Sequence, residues 1–154
     1  MHYQGTLQVP PTISAPGIKP QTIYELASSI DIGATLLELC ELPFYEGIQG
    51  EPLVPILSGE KESVRDCILI EDDIATVTAR LTPIPAKART LVTKTHRYTH
   101  NSKLEKQLFN LGEDPDELID LSRKDQLARS LKIDQMMDTL IHADDAARGA
   151  PTTT

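Results

Sequence analysis

The sequence predicts an α/β chain, and three observations carry that expectation. Apolar residues recur at helical spacing near residues 31–41, short strand-like segments follow one another between residues 65 and 109, and a second helical pattern runs over about 124–142. The segments in the middle predict a four-stranded antiparallel sheet, and the last pattern a terminal helix against it.

In chain order, Thr6-Leu7-Gln8-Val9 and Thr12-Ile13-Ser14-Ala15 are β-like pieces broken by Pro10-Pro11 and Pro16-Gly17, the second apolar enough for a buried sheet. Residues 21–28 read as a connection with strand character. The helix at 31–41 places Ile32, Leu36, Leu39 and Cys40 on one face and Asp31, Thr35, Glu38 and Glu41 on the other. Ser28, Ser29 or Asp31 can cap it, and Pro43 ends it.

Arg65–Glu71 reads as a strand flanked by charge, with Asp72-Asp73 as a turn or bulge before another at Ala75–Arg80. Arg89–Thr93 and Arg97–Thr99 predict a hairpin closed around Lys94-Thr95-His96. Leu108, Phe109 and Leu111 make a short strand that Asn110-Leu111-Gly112 turns. Asp114 then offers an N-cap, with Pro115 at the first helical position, where a missing N–H costs nothing. Leu118 and Leu121, three apart on the expected helical turn, can both fold back onto the strand. Over 124–142 the apolar face is Leu127, Leu131, Ile133, Met137, Leu140 and Ile141, with Asp134 and Asp138 intruding; the tail from about 143 is expected to fray.

At 154 residues the chain is long enough to bury a core. Fifteen Lys and Arg against twenty-three Asp and Glu give −8, which argues against a nucleic-acid partner, because counterion release needs a cationic face. Trp is absent, so no stacking platform for bases or sugars stands out. Cys40 and Cys67 sit among apolar residues and read as buried free thiols. His2, His96, His100 and His142 form no zinc spacing, and the last three read as surface residues. No run approaches the ~18 apolar residues of a membrane span, and the start lacks a signal-peptide pattern. No membrane partner is expected, and the compartment is open.

Four runs, in order, resemble the sulfatase family. His2-Tyr3-Gln4-Gly5-Thr6-Leu7-Gln8-Val9-Pro10, with Ile13-Ser14-Ala15-Pro16-Gly17 after it, is similar to the family run HYEGxLRVPLIIRAPG, with Gln4 for Glu, Gln8 for Arg and Pro11 for Leu. Ser28–Leu39 resembles SSIDIAPTLLDL, and Gly47-Ile48-Gln49-Gly50-Glu51-Pro52-Leu53 resembles GIQGRSLLPLL. The stretch Leu108–Leu121 resembles LYDLxxDPxExxNL, with Asp120-Leu121 where the family usually has Asn-Leu.

The resemblance implies sulfate-ester hydrolysis by a formylglycine made within a C/S-x-P-x-R motif. It also implies calcium held by an Asp-Asp pair and a later Asp-Asn or Asp-His pair, with Lys and His residues binding the sulfate; these charges would offset the one that develops as the aldehyde hydrate attacks sulfur. Ser14-Ala15-Pro16-Gly17-Ile18 has Ile18 where Arg is required, and Cys40-Glu41-Leu42-Pro43-Phe44 has Pro one residue late and no Arg. No catalytic residue and no metal ligand is therefore assigned. Glu71-Asp72-Asp73 could hold a hard cation, but falls where the family has the first strand of its C-terminal subdomain, and reads as a solvated acidic turn. The family's sulfate-binding Lys precedes the Tyr of the first run, so the resemblance places His2 beside the substrate.

The expected domains follow from the resemblance. Residues 1–60 would be the incomplete C-terminal end of an alkaline-phosphatase-like α/β domain, and residues 61–154 the sulfatase C-terminal subdomain. The chain is then expected to be a C-terminal sulfatase fragment, inactive alone. Calcium, formylglycine and a sulfated small molecule or glycan would belong to the complete enzyme. Exposed apolar surface is expected to favour self-association. The alternative is a non-catalytic binding or interaction module built on the same part of the fold; an independent metal hydrolase using Glu71, Asp72 and Asp73 is a weaker third.

Overall fold

The computed structural model describes residues 3–73, 87–102 and 105–147. Its elements are α1 (Gln4–Leu7), α2 (Asp31–Leu39), α3 (Val54–Leu57), β1 (Cys67–Asp73), β2 (Lys87–Thr93), β3 (His96–Asn101), β4 (Lys106–Asn110) and α4 (Gln126–Ala147). They divide into two compact units, one made of Met1–Val9 with Leu69–Asp138 and the other of Pro10–Ile68 with Thr139–Thr154.

The first unit is built on the expected four-stranded antiparallel sheet, in the order β1-β2-β3-β4. The strand expected at Ala75–Arg80 lies outside the described residues. β2 and β3 pair with Leu91 opposite Tyr98 and Val92 opposite Arg97. Lys94 and Thr95 alone form the turn, so His96 belongs to β3, tied by its N–H to the Thr93 hydroxyl at 3.0 Å. β3 and β4 pair with Tyr98 opposite Leu108 and Arg97 opposite Phe109. Because strand side chains alternate in direction, Leu91, Tyr98 and Leu108 share one face, and Val92, Arg97 and Phe109 the other; all six are buried. The charges of Arg129 and Lys132 on α4 act on Tyr98 and His96, two residues on one face of β3.

Three expectations in this unit are corrected. Residues 6–9 do not make a strand: Gln4–Leu7 is one helical turn, closed by the Leu7 N–H on the Tyr3 carbonyl at 3.2 Å. After Asp114 the chain turns without forming a helix. Glu117 adopts a left-handed backbone (φ 55°), which interrupts the helical path, and Leu118 is left 81% exposed rather than folded back. Leu121 does return, through its N–H to the Leu108 carbonyl at 2.8 Å, while Asp120 Oδ1 accepts the Leu108 N–H at 3.1 Å. On α4 the apolar residues Leu127, Leu131, Met137 and Ile141 are solvent-exposed, and the buried Met136 shares its helix face with half-buried Arg129, Ile133 and Leu140.

In the second unit α2 packs on α3, burying Ala34, Thr35, Leu53 and Ile56. Residues 12–15 and 21–28 take no regular structure, against the strand character expected of them. α2 ends before Pro43: Glu41 turns left-handed (φ 55°), the Glu41 N–H meets the Glu38 carbonyl at 3.0 Å, and the Leu42 N–H meets the Leu37 carbonyl at 2.9 Å. That pair of bonds is a Schellman stop, formed here without glycine. The expected burial of α2 is reversed. Asp31 and Thr35 are buried, while Ile32 and Leu36 are exposed at 42% and 56%, and Cys40 is exposed.

Candidate functional site

In the first unit the charged centre is Arg97, a strand residue with no exposed surface. Its Nε pairs with Glu117 Oε1, and its Nη1 donates to the Thr99 hydroxyl at 2.9 Å. The Thr99 hydroxyl in turn bonds that of Thr90 at 2.8 Å. The guanidinium carbon lies 4.7 Å from the centre of the Phe109 ring and 5.2 Å from that of Tyr3. Desolvated contacts of this kind are each worth up to ~2 kcal/mol. Glu117 Oε2 accepts the backbone N–H of Gln4 at 2.7 Å, one of the donors that the first turn of α1 leaves open. One carboxylate thus joins the sheet's arginine to the Tyr3–Gln4 turn. Asp114 fixes the loop carrying it, accepting the N–H groups of Leu118 at 3.0 Å and Ile119 at 2.7 Å.

The second unit has its own charged centre. Asp31 has no exposed surface and accepts the N–H of Ser28 at 2.7 Å and of Glu51 at 2.9 Å, besides pairing with Arg65. Neither Ser28 nor Ser29 caps α2; Asp31 reaches back to the segment before it. The Thr35 hydroxyl accepts the Leu53 N–H at 2.9 Å. Gly50 lies so close to α2 that a Cβ would overlap the Ile30 carbonyl oxygen. Asp31 and Gly50 therefore join the Ser28–Leu39 run to the Gly47–Leu53 run.

Of the residues singled out in the sequence, His2 lies outside the described residues. Glu71 forms an ion pair with Arg89, and Asp72 lies in β1 rather than in a turn. Among the described residues no three His, Cys, Asp or Glu side chains gather as a metal site. No described helix is long and apolar enough to cross a membrane. Both cysteines are free, but neither is fully buried as expected: Cys40 is exposed, and Cys67 is half-buried with its Sγ 3.6 Å from the Thr139 hydroxyl. His142 is exposed, whereas His96 and His100 are half-buried. Burial lowers the pKa of both; Lys132 lowers His96 further, against Asp125 and Glu113, and Lys106 lowers His100 further.

Arg97, Glu117 and Arg65 were not singled out in the sequence, and Asp31 only as a possible cap on the polar face of its helix. A lone arginine among β-forming residues at Leu91–Thr93 and Tyr98–Thr99 was the available signal for the first pair. Asp31, an acid at the start of an apolar helix, was the signal for the second.

The four-stranded antiparallel sheet and C-terminal helix, with two motif-bearing segments each held by a buried carboxylate, agree with the C-terminal portion of a sulfatase. The family model for the C-terminal region of N-sulphoglucosamine sulphohydrolase matches residues 1–144, and the chain belongs to that family. It is 32% identical over 130 residues to arylsulfatase K of Gallus gallus, a match covering 79% of this chain and 24% of the relative. Phosphonate monoester hydrolase of Agrobacterium radiobacter shares the fold at a TM-score of 0.63 and 23% identity, over 73% of this chain and 24% of that one. A protein solved in complex with its substrate D-glucosamine-2-N,6-O-disulfate shares it at 0.58 and 18%, over 80% and 25%. The chain spans about a quarter of the length of the curated relatives that it matches.

Proposed function

We propose that this chain serves a sulfate-ester hydrolase acting on a sulfated small molecule or glycan, as the part that frames the substrate rather than the part that reacts. The family match over residues 1–144 carries this reading. The sulfated glucosamine bound by one protein of the same fold supports the substrate class. In this reading the formylglycine nucleophile and the calcium that would offset sulfate charge are held by residues outside 1–154. The chain's own residues bind and orient: His2 contacts the sulfated group, and the Tyr3–Gln4 turn beside it is held by Glu117.

The purified chain is expected to show no turnover of an aryl sulfate, with or without calcium; turnover above background that survives repurification would refute this. A chimera in which residues 1–147 replace the matching quarter of the chicken relative is expected to keep sulfatase activity. A folded but inactive chimera would favour the non-catalytic binding module.

A further inference from the structure

We propose that the exposed face of α4 between Leu127 and Asp138 docks a helix of another protein, one with apolar residues at heptad spacing and Lys or Arg opposite Asp134 and Asp138. Leu127, Leu131, Asp134 and Asp138 follow the alternating four-three-four spacing of a coiled-coil seam. At the pitch of an α-helix they fall within about 60° of one another around the axis. All four are exposed, Leu127 at 73% and Leu131 at 59%. The opposite face carries buried Met136 and half-buried Arg129 and Ile133. α4 is therefore apolar on two faces, whereas a helix at the surface of a single chain needs only one.

Charge decides between the occupants of the second face. A second copy of this chain fits it poorly in either direction. Aligned in parallel, it sets Asp134 against Asp134 and Asp138 against Asp138, and like charges at facing positions repel. Aligned antiparallel, it sets Leu131 against Asp134 and Leu127 against Asp138, which takes carboxylates out of water and onto leucine without a partner. Among the described residues neither carboxylate has an ion-pair partner. A helix that brings Leu to Leu127 and Leu131 and a cation to each Asp removes both costs, and charged seam positions of this kind select partner and register. The net charge of −8 steers a basic partner toward the same surface.

Two synthetic helical peptides of three heptads serve as probes. Both carry Leu at the seam positions that meet Leu127 and Leu131; one has Lys and the other Glu at the two that meet Asp134 and Asp138. Each is labelled and titrated with the full chain, and binding is read by fluorescence anisotropy. The Lys peptide is expected to bind saturably, and the Glu peptide at least about tenfold more weakly. An Asp134→Asn, Asp138→Asn variant should bind the two alike, and a Leu127→Ser, Leu131→Ser variant neither. Because all four positions are exposed, both variants should keep the fold, which their urea midpoints check. Absence of binding, equal affinity of the unaltered chain for the two peptides, or binding that survives the Leu127→Ser, Leu131→Ser change overturns the proposal. A dimer in sedimentation that this variant dissolves gives the face to a second copy, and binding to phosphatidylcholine vesicles that it abolishes gives the face to lipid; either result overturns the choice of partner. The Lys peptide should also bind the folded chimera described above. Failure there would show that the remainder of the enzyme covers the face, and would overturn the proposal as well.

Discussion

Arg97 sits between two rings and a carboxylate because β3 directs it away from the Tyr98 face and the Glu117 loop covers it. Removing one partner of such a buried pair strands the other, so Glu117→Ala is expected to cost ~3–5 kcal/mol in urea unfolding. On the opposite face, the Tyr98 hydroxyl is buried and has no hydrogen-bond partner among the described residues. An unsatisfied buried hydroxyl is a penalty, so Tyr98→Phe should leave stability unchanged or raise it by up to ~1 kcal/mol; a loss above that would reveal a partner. Gly50→Ala should lose ~1–3 kcal/mol, the usual range for overpacking, because the added methyl meets backbone and not a movable side chain. None of these roles was legible residue by residue. A strand's alternation tells which residues share a face, but an Arg among β-formers reads as an exposed position until its carboxylate is known, and Glu117 lies twenty residues away.

At the scale of elements, period was legible and direction was not. The 3.6-residue pattern located α2 and α4 to within a few residues, and the hairpin and β4 fell where alternation put them. Yet α2 turns its Asp31 and Thr35 inward, because the partners available to it here are the Ser28 and Glu51 N–H groups, Arg65 and the Leu53 N–H. Its Ile32 and Leu36 are left facing water, and α4 leaves Leu127 and Leu131 in the same state. Exposed apolar residues of this number promote association. Ile32→Glu with Leu36→Glu is therefore expected to shift the purified chain toward monomer in analytical ultracentrifugation. The change in stability should stay within ~0.5 kcal/mol, as for other surface substitutions. An unchanged sedimentation profile would show that this face is not sticky.

For the molecule as a whole, acidity offers a test of the packing around the sheet. His96 and His100 both have pKa values below the ordinary 6.5, through burial first and a neighbouring lysine second. The unfolded chain then binds more protons than the folded one below about pH 6.5, so the fold keeps its full stability above that value and loses it as the pH falls. Urea midpoints measured from about pH 7.5 down to about 5.5 should decline, and less steeply in a His96→Gln, His100→Gln double variant. Equal slopes in the two proteins would remove the imidazoles from the account. The fold class was legible at this scale because four motif runs in order specify a family, whereas the two buried carboxylates that hold those runs depend on contacts far apart in sequence.

Asp120 and Leu121 have a consequence for what this sheet can recruit. β4 is the last strand of the sheet, and the outward N–H and C=O of Leu108 would otherwise be open to a strand from another molecule. Asp120 occupies the first and the Leu121 N–H the second. A carboxylate oxygen accepts there as well as the amide oxygen of an Asn would, and adds a negative charge that a passing strand must approach. The free edge is thus stopped by the chain's own return, and fibrillar growth through β4 requires breaking that bond pair first.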